Sequence, residues 1–169
     1  MTEQLVEKCK KYQSHFSGLL KVPCNVIDVP ENMAPTMYGQ TEICSFCDKC
    51  GFGPHDELAT CYYGCNEAHR WNGKYIYYCP MGLVFIASSI SSEMGSLAGG
   101  LAIGPIVMGE YQDVISDLPM PEYADEIMKL KSYTTQEVRH ISEILACVTS
   151  EISGIEEQKY RNLLYDQEQ

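Results

Sequence analysis

A chain of 169 residues with 45% hydrophobic content is long enough for one well-packed core, and no break in its composition divides it in two. Its formal charge of −11, with 12 Lys and Arg scattered along the chain, is the wrong footprint for gripping phosphate backbones or anionic membranes, which argues against nucleic acid and membrane as direct partners. Nine cysteines and no export signal in Met1 to Lys11 argue against a full disulfide framework and point to a reducing, cytoplasmic setting with metal, cluster or redox chemistry.

Leu5, Cys9, Tyr12, Phe16 and Leu19 recur at spacings of three and four, which predicts an amphipathic N-terminal helix packed on the domain through that stripe. Asn25 to Val29 mixes polar and apolar residues as a half-buried strand does, and Pro30 and Pro35 bracket the loop after it. Leu58, Cys61, Tyr62, Cys65 and Ala68 again follow a helical period, with Asp56 as N-cap and the Asn72-Gly73 turn beyond. A strand over Lys74 to Cys79 comes next. Leu83 to Ile90 and Ser96 to Ile103 read as a hairpin joined at Glu93, Met94 and Gly95, giving with the earlier strands an antiparallel sheet. Between Met81 and Met108 the only charge is Glu93, yet it splits the stretch below the length of a membrane helix, so this stretch reads as buried strands. Thr134 and Glu137 form a capping-box pattern ahead of a helix from Thr135 to about Ser153. Its apolar residues Val138, Ile141, Leu145, Val148, Ile152 and Ile155 fit either packing on the sheet or a dimerising output helix. Residues 1–153 are read as one domain, and 154–169 as a polar helical tail or linker.

Six cysteines, Cys44, Cys47, Cys50, Cys61, Cys65 and Cys79, lie in one stretch, three of them as Cys44-x2-Cys47-x2-Cys50. A two-residue gap lets successive sulfurs converge on one point, as in tetrahedral zinc sites and iron–sulfur cubes. Cys79, followed by Pro80, offers a fourth ligand for a 4Fe-4S cluster; Cys61 and Cys65, one helical turn apart, are the alternative for zinc or a cluster, and His69 extends their stripe. The competing reading is that Cys61 and Cys65 are core thiols. Cys9 and Cys147 read as packing residues, and His15 and His140 as solvated ones. No nucleophile elbow, phosphate-binding loop, zinc-protease helix or dinucleotide fingerprint occurs, so no enzymatic chemistry is indicated. Tyr77, Met81, Phe85 and Met94 bring aromatic and thioether surface to the sheet as candidate ligand contacts.

Phe46-Cys47, the cysteine at 61, Tyr77-Tyr78-Cys79-Pro80-Met81-Gly82-Leu83 and Gly95-Ser96-Leu97-Ala98-Gly99-Gly100 together resemble the PocR sensory domain family over roughly residues 5 to 150. The resemblance implies an α+β, PAS-like fold in which an antiparallel sheet and flanking helices enclose a small organic molecule, such as a short-chain alcohol. Cys44, Cys50 and Cys65 go beyond the family's usual three cysteines and suggest a metal-bearing branch. The expected function is a non-catalytic sensor for signal transduction or transcription regulation, responding to a small ligand or to a cysteine-bound metal and acting through an output domain or partner. The alternative is an iron–sulfur electron-transfer protein using Cys44, Cys47, Cys50 and Cys79.

Overall fold

The computed structural model describes residues 1–39, 57–118 and 121–154. The chain opens with helix α1 (Glu3–Leu20), capped by the Thr2 side chain, and continues into strands β1 (Cys24–Asp28) and β2 (Thr36–Tyr38). Helix α2 (Glu57–Arg70) precedes β3 (Lys74–Tyr78), β4 (Val84–Ser91) and β5 (Leu97–Met108). Two short helices, α3 (Tyr111–Ile115) and α4 (Ala124–Met128), lead to β6 (Ser132–Tyr133) and the closing helix α5 (Thr135–Ser153).

The strands form one six-stranded sheet in the order β2-β1-β5-β4-β3, antiparallel throughout, with β6 added in parallel to the end of β5. The expected α+β architecture of an antiparallel sheet flanked by helices is therefore present, with N- and C-terminal helices as anticipated. Alternation along the central strands sorts side chains onto two faces. On β4, Val84, Ile86 and Ile90 join a core with Phe16, Val138, Ile141 and Leu145, beneath α1 and α5. Phe85 and Ala87 point the other way, into a core with Cys61, Cys65, Tyr77, Met81 and Ile127 beneath α2. Every residue of β4 is buried, because it lies between two strands and between two layers of helix. That double cover explains the near-continuous apolar run, which is a buried strand and not a membrane helix. Among the described residues no helix is long and apolar enough to cross a membrane.

Several boundaries and faces differ from the sequence expectation for identifiable reasons. β5 runs past Ile103 to Met108 despite Pro105, because the β4–β5 register shifts between Val84 and Ile86 and Pro105 occupies that irregularity, where no ladder donor is required. β1 is buried on both faces and not half-buried, since it is flanked by β2 and β5 and covered by α1. On α1 the buried stripe is Val6, Cys9 and Phe16, with Leu20 partly buried, while Leu19 is 79% exposed. The stripe advances by four residues from Phe16 because 3.6 residues per turn carries position 19 off the face. The capping box at Thr134 and Glu137 forms as expected. Of the apolar stripe of α5, Val138, Ile141, Leu145 and Ile152 pack in the core with the sheet and Val148 is partly buried against it, while Ile155 lies outside the described residues. Cys147, expected as a packing residue, is exposed on the outer side of α5.

Candidate ligand-sensing site

The face of the sheet beneath α2 carries a cluster of aromatic side chains. Tyr75 and Tyr77, two apart on β3, project to the same side and stack with ring centroids 5.7 Å apart. Tyr77 also stacks on its cross-strand partner Phe85, at 5.7 Å, and Tyr63 from α2 meets both tyrosines edge-on. The Tyr77 hydroxyl donates to the Thr60 carbonyl at 3.0 Å, tying β3 to α2. A residue larger than glycine at Gly64 would collide with the Tyr77 ring, so α2 approaches β3 closely through that position.

Cys61 and Cys65 project from α2 into the same core and are fully buried. The Cys65 thiol points at the Ser88 carbonyl, 3.9 Å away, and occupies the volume that a side chain at Gly100 would need. Burial drives its pKa up, and burial raises Cys24 to about 12 and Cys9 to about 11, so all three are protonated thiols at neutral pH. Cys61 receives a long contact from the Asn25 amide, 3.7 Å to its sulfur. Cys79 sits just past β3 in a turn closed by Cys79 N–H donating to Leu83 O at 2.8 Å and Gly82 N–H donating to Cys79 O at 2.9 Å. Burial raises the Cys79 pKa, and backbone N–H groups including those of Leu83, Met81 and Gly82 oppose the rise by favouring a thiolate.

Of the six cysteines that sequence spacing brought together, Cys44, Cys47 and Cys50 lie outside the described residues. Among the described residues no group of three or more His, Cys, Asp or Glu is arranged to hold a metal ion. Tyr77, Met81 and Phe85 share one core with Cys61, Cys65 and Cys79. Met94 stands apart, 90% exposed in the turn between β4 and β5, at the opposite end of β4 from Phe85. His69, partly buried, lies 3.4 Å from the Ser91 hydroxyl, and burial lowers its pKa.

Sequence reasoning missed Asn25. It faces the α2 side between Cys24 and Val26, which face the other core, and its amide nitrogen lies 3.4 Å from Glu57 Oε1. The available signal was an asparagine flanked by Cys24, Val26 and Ile27 in a strand otherwise suited to a core.

Residues 5–157 match the family model described as the sensory domain found in PocR. Among curated proteins, none is similar enough to count as a match. A match over most of the chain, on a sheet with an aromatic and thiol-lined face beneath α2, supports a ligand-binding sensory role, and the chain belongs to the PocR sensory-domain family.

Proposed function

We propose that this domain senses a small organic molecule held between α2 and the sheet, and that α5, packed on the opposite face, relays occupancy of that site to an output domain or partner in the cytoplasm. The division of the core carries this reading. One face gathers the stacked aromatics Tyr77 and Phe85 with Met81, Cys61, Cys65 and Cys79, while the other, which also buries Phe16, Cys9 and Cys24, is mostly aliphatic packing against α1 and α5. Aromatic and thioether walls suit a compact organic ligand, and a sheet with helices on both faces gives each change of position beneath α2 a route to α5. Met94, at an exposed turn, is the weakest of the proposed contacts. The proposed role is non-catalytic.

The test is a titration of the purified domain with short aliphatic alcohols, amides and ketones, followed by thermal melting and amide chemical shifts. A ligand that binds the folded state at about 100 times its Kd adds about 2.7 kcal/mol of stability. Saturable stabilisation with the earliest shifts in α2, β3 and β4 is expected, and no saturable response to any probe counts against the reading.

A second reading, that cysteines bind zinc or an iron–sulfur cluster used for sensing or for electron transfer, draws on the turn at Cys79, where burial raises the thiol pKa and the backbone N–H groups of the turn act against that rise. The proposed ligands are drawn from Cys44, Cys47, Cys50 and Cys79, with Cys61 and Cys65 as the alternatives. Anaerobic purification with metal analysis separates the outcomes. Iron, sulfide and absorbance near about 400 nm support a cluster, zinc alone supports a tetrahedral site, and neither metal nor colour counts against both.

A further inference from the structure

Asn25 is 1% exposed, and its Oδ1 is the single buried side-chain oxygen or nitrogen without a hydrogen-bond partner among the described residues. The orientation of the carboxamide is set by its neighbours. Its Nδ2 faces Glu57 Oε1 at 3.4 Å and the Cys61 sulfur at 3.7 Å, and a flipped amide would put an acceptor against a carboxylate. The acceptor end is therefore directed toward Gly39, which lies against it, and the missing side chain leaves the room that Oδ1 occupies, since a Cβ at Gly39 would collide with it.

Leaving a buried acceptor unmet costs about 1–3 kcal/mol, and an apolar residue of similar shape would avoid that cost. The Nδ2 contacts do not involve Oδ1, and the neighbours of Asn25 within the sheet are apolar. Ala102 is its partner across the sheet, and Ile27, the next residue on the same face, belongs to the apolar α2 core. Unsatisfied polar groups that persist in a core call for a functional account.

We infer that Asn25 is the polar recognition point of the ligand site, with Oδ1 accepting a hydrogen bond from an O–H or N–H group of a small organic molecule lodged against Ile27, Ala102 and Cys61. The inference rests on the ligand-sensing reading above and adds to it the ligand's chemistry. The molecule must carry a hydrogen-bond donor, and it is not an anion, because Oδ1 and the Glu57 carboxylate both present negative charge density there. Binding supplies the partner that the free domain lacks, so recognition of the donor is coupled to relief of an unfavourable feature of the unliganded core.

The test uses probe pairs that differ in one donor: 1-butanol with its methyl ether, and propionamide with N,N-dimethylpropionamide. Binding is read by saturation-transfer NMR and by melting, on the wild-type domain and on Asn25→Leu and Asn25→Val. In the wild type each donor probe is expected to bind about tenfold more tightly than its methylated partner, the factor that corresponds to one hydrogen bond of about 1.4 kcal/mol. In the variants the ratio should fall to about one, with melting temperatures at or above that of the wild type. The wild-type Asn25 side-chain carbonyl resonance should move with the donor probe of each pair and not with its methylated partner, a readout that holds even where a variant fails to fold.

A donor preference that persists in the folded variants, or an Asn25 resonance that ignores the donor probes, overturns the role of Asn25 and leaves the ligand-sensing reading standing. Methylated probes that bind as well as the donors to the wild type do the same. Failure of all four probes to bind the wild type overturns both.

Discussion

At Cys9, Cys24 and Cys65, removal from water raises the thiol pKa, to about 11 and about 12 for the first two, and keeps the proton on sulfur at neutral pH. Burial acts in the opposite sense on a base. His69, on the last turn of α2, has its pKa lowered below 6.5 by desolvation of the imidazolium. The unfolded chain therefore takes up this proton first as pH falls. The contribution to stability is fully present above about pH 6.5 and is lost progressively as pH drops from there through the depressed native value. His69→Gln should flatten that part of the stability profile while leaving stability at pH 8 nearly unchanged. Urea unfolding of both proteins between pH 5 and pH 8 checks this, and parallel profiles would sink it. Cysteine spacing made the thiols conspicuous, but their protonation follows from burial, which spacing does not encode.

Gly64 shows how an element answers to its neighbour. In an isolated helix Gly→Ala is favourable by about 1 kcal/mol. In α2 the added methyl would meet the Tyr77 ring, which is held by stacking on Tyr75 and Phe85 and by its bond to Thr60. Gly64→Ala is accordingly expected to lower stability by about 1–3 kcal/mol, the range for overpacking a tight core. Chemical denaturation gives the sign directly, and a stabilised variant would show that α2 is less closely applied to β3. The periodic elements were readable because their apolar residues repeat at helical or strand spacing, and the Thr134–Glu137 box marked the start of α5. The end of β5 was not, because Pro105 reads locally as a strand breaker and is accommodated by a register shift that involves β4. β2 and β6, three and two residues long, are too short to carry a pattern; they exist through pairing with β1 and β5.

For the molecule as a whole, sensing requires the two faces of the sheet to communicate, and Ser88 on β4 touches both. Its carbonyl faces the Cys65 thiol of α2, and its hydroxyl lies 2.5 Å from Thr149 Oγ1 on α5 and 2.6 Å from the Gly73 carbonyl ahead of β3. Thr149→Val keeps the shape of the side chain and removes that link. A loss of about 1 kcal/mol is expected, with faster amide hydrogen exchange in α5 near Thr149 than in β4 and β5. Unchanged exchange in α5 would place the coupling elsewhere.

The sequence by itself determined the α+β class, the helices and strands with clear periodicity, and the family elements around Cys79-Pro80-Met81-Gly82-Leu83, because these depend on neighbours a few residues away. Tertiary structure decided the rest. It turned the heptad-like stripe of α5 onto the sheet, placed Leu19 and Cys147 in solvent, grouped Tyr77, Met81 and Phe85 while leaving Met94 at a turn, and buried Asn25 with an unmet acceptor. Each of these depends on which surfaces meet across the sheet, and contacts between distant segments leave little trace in local residue spacing.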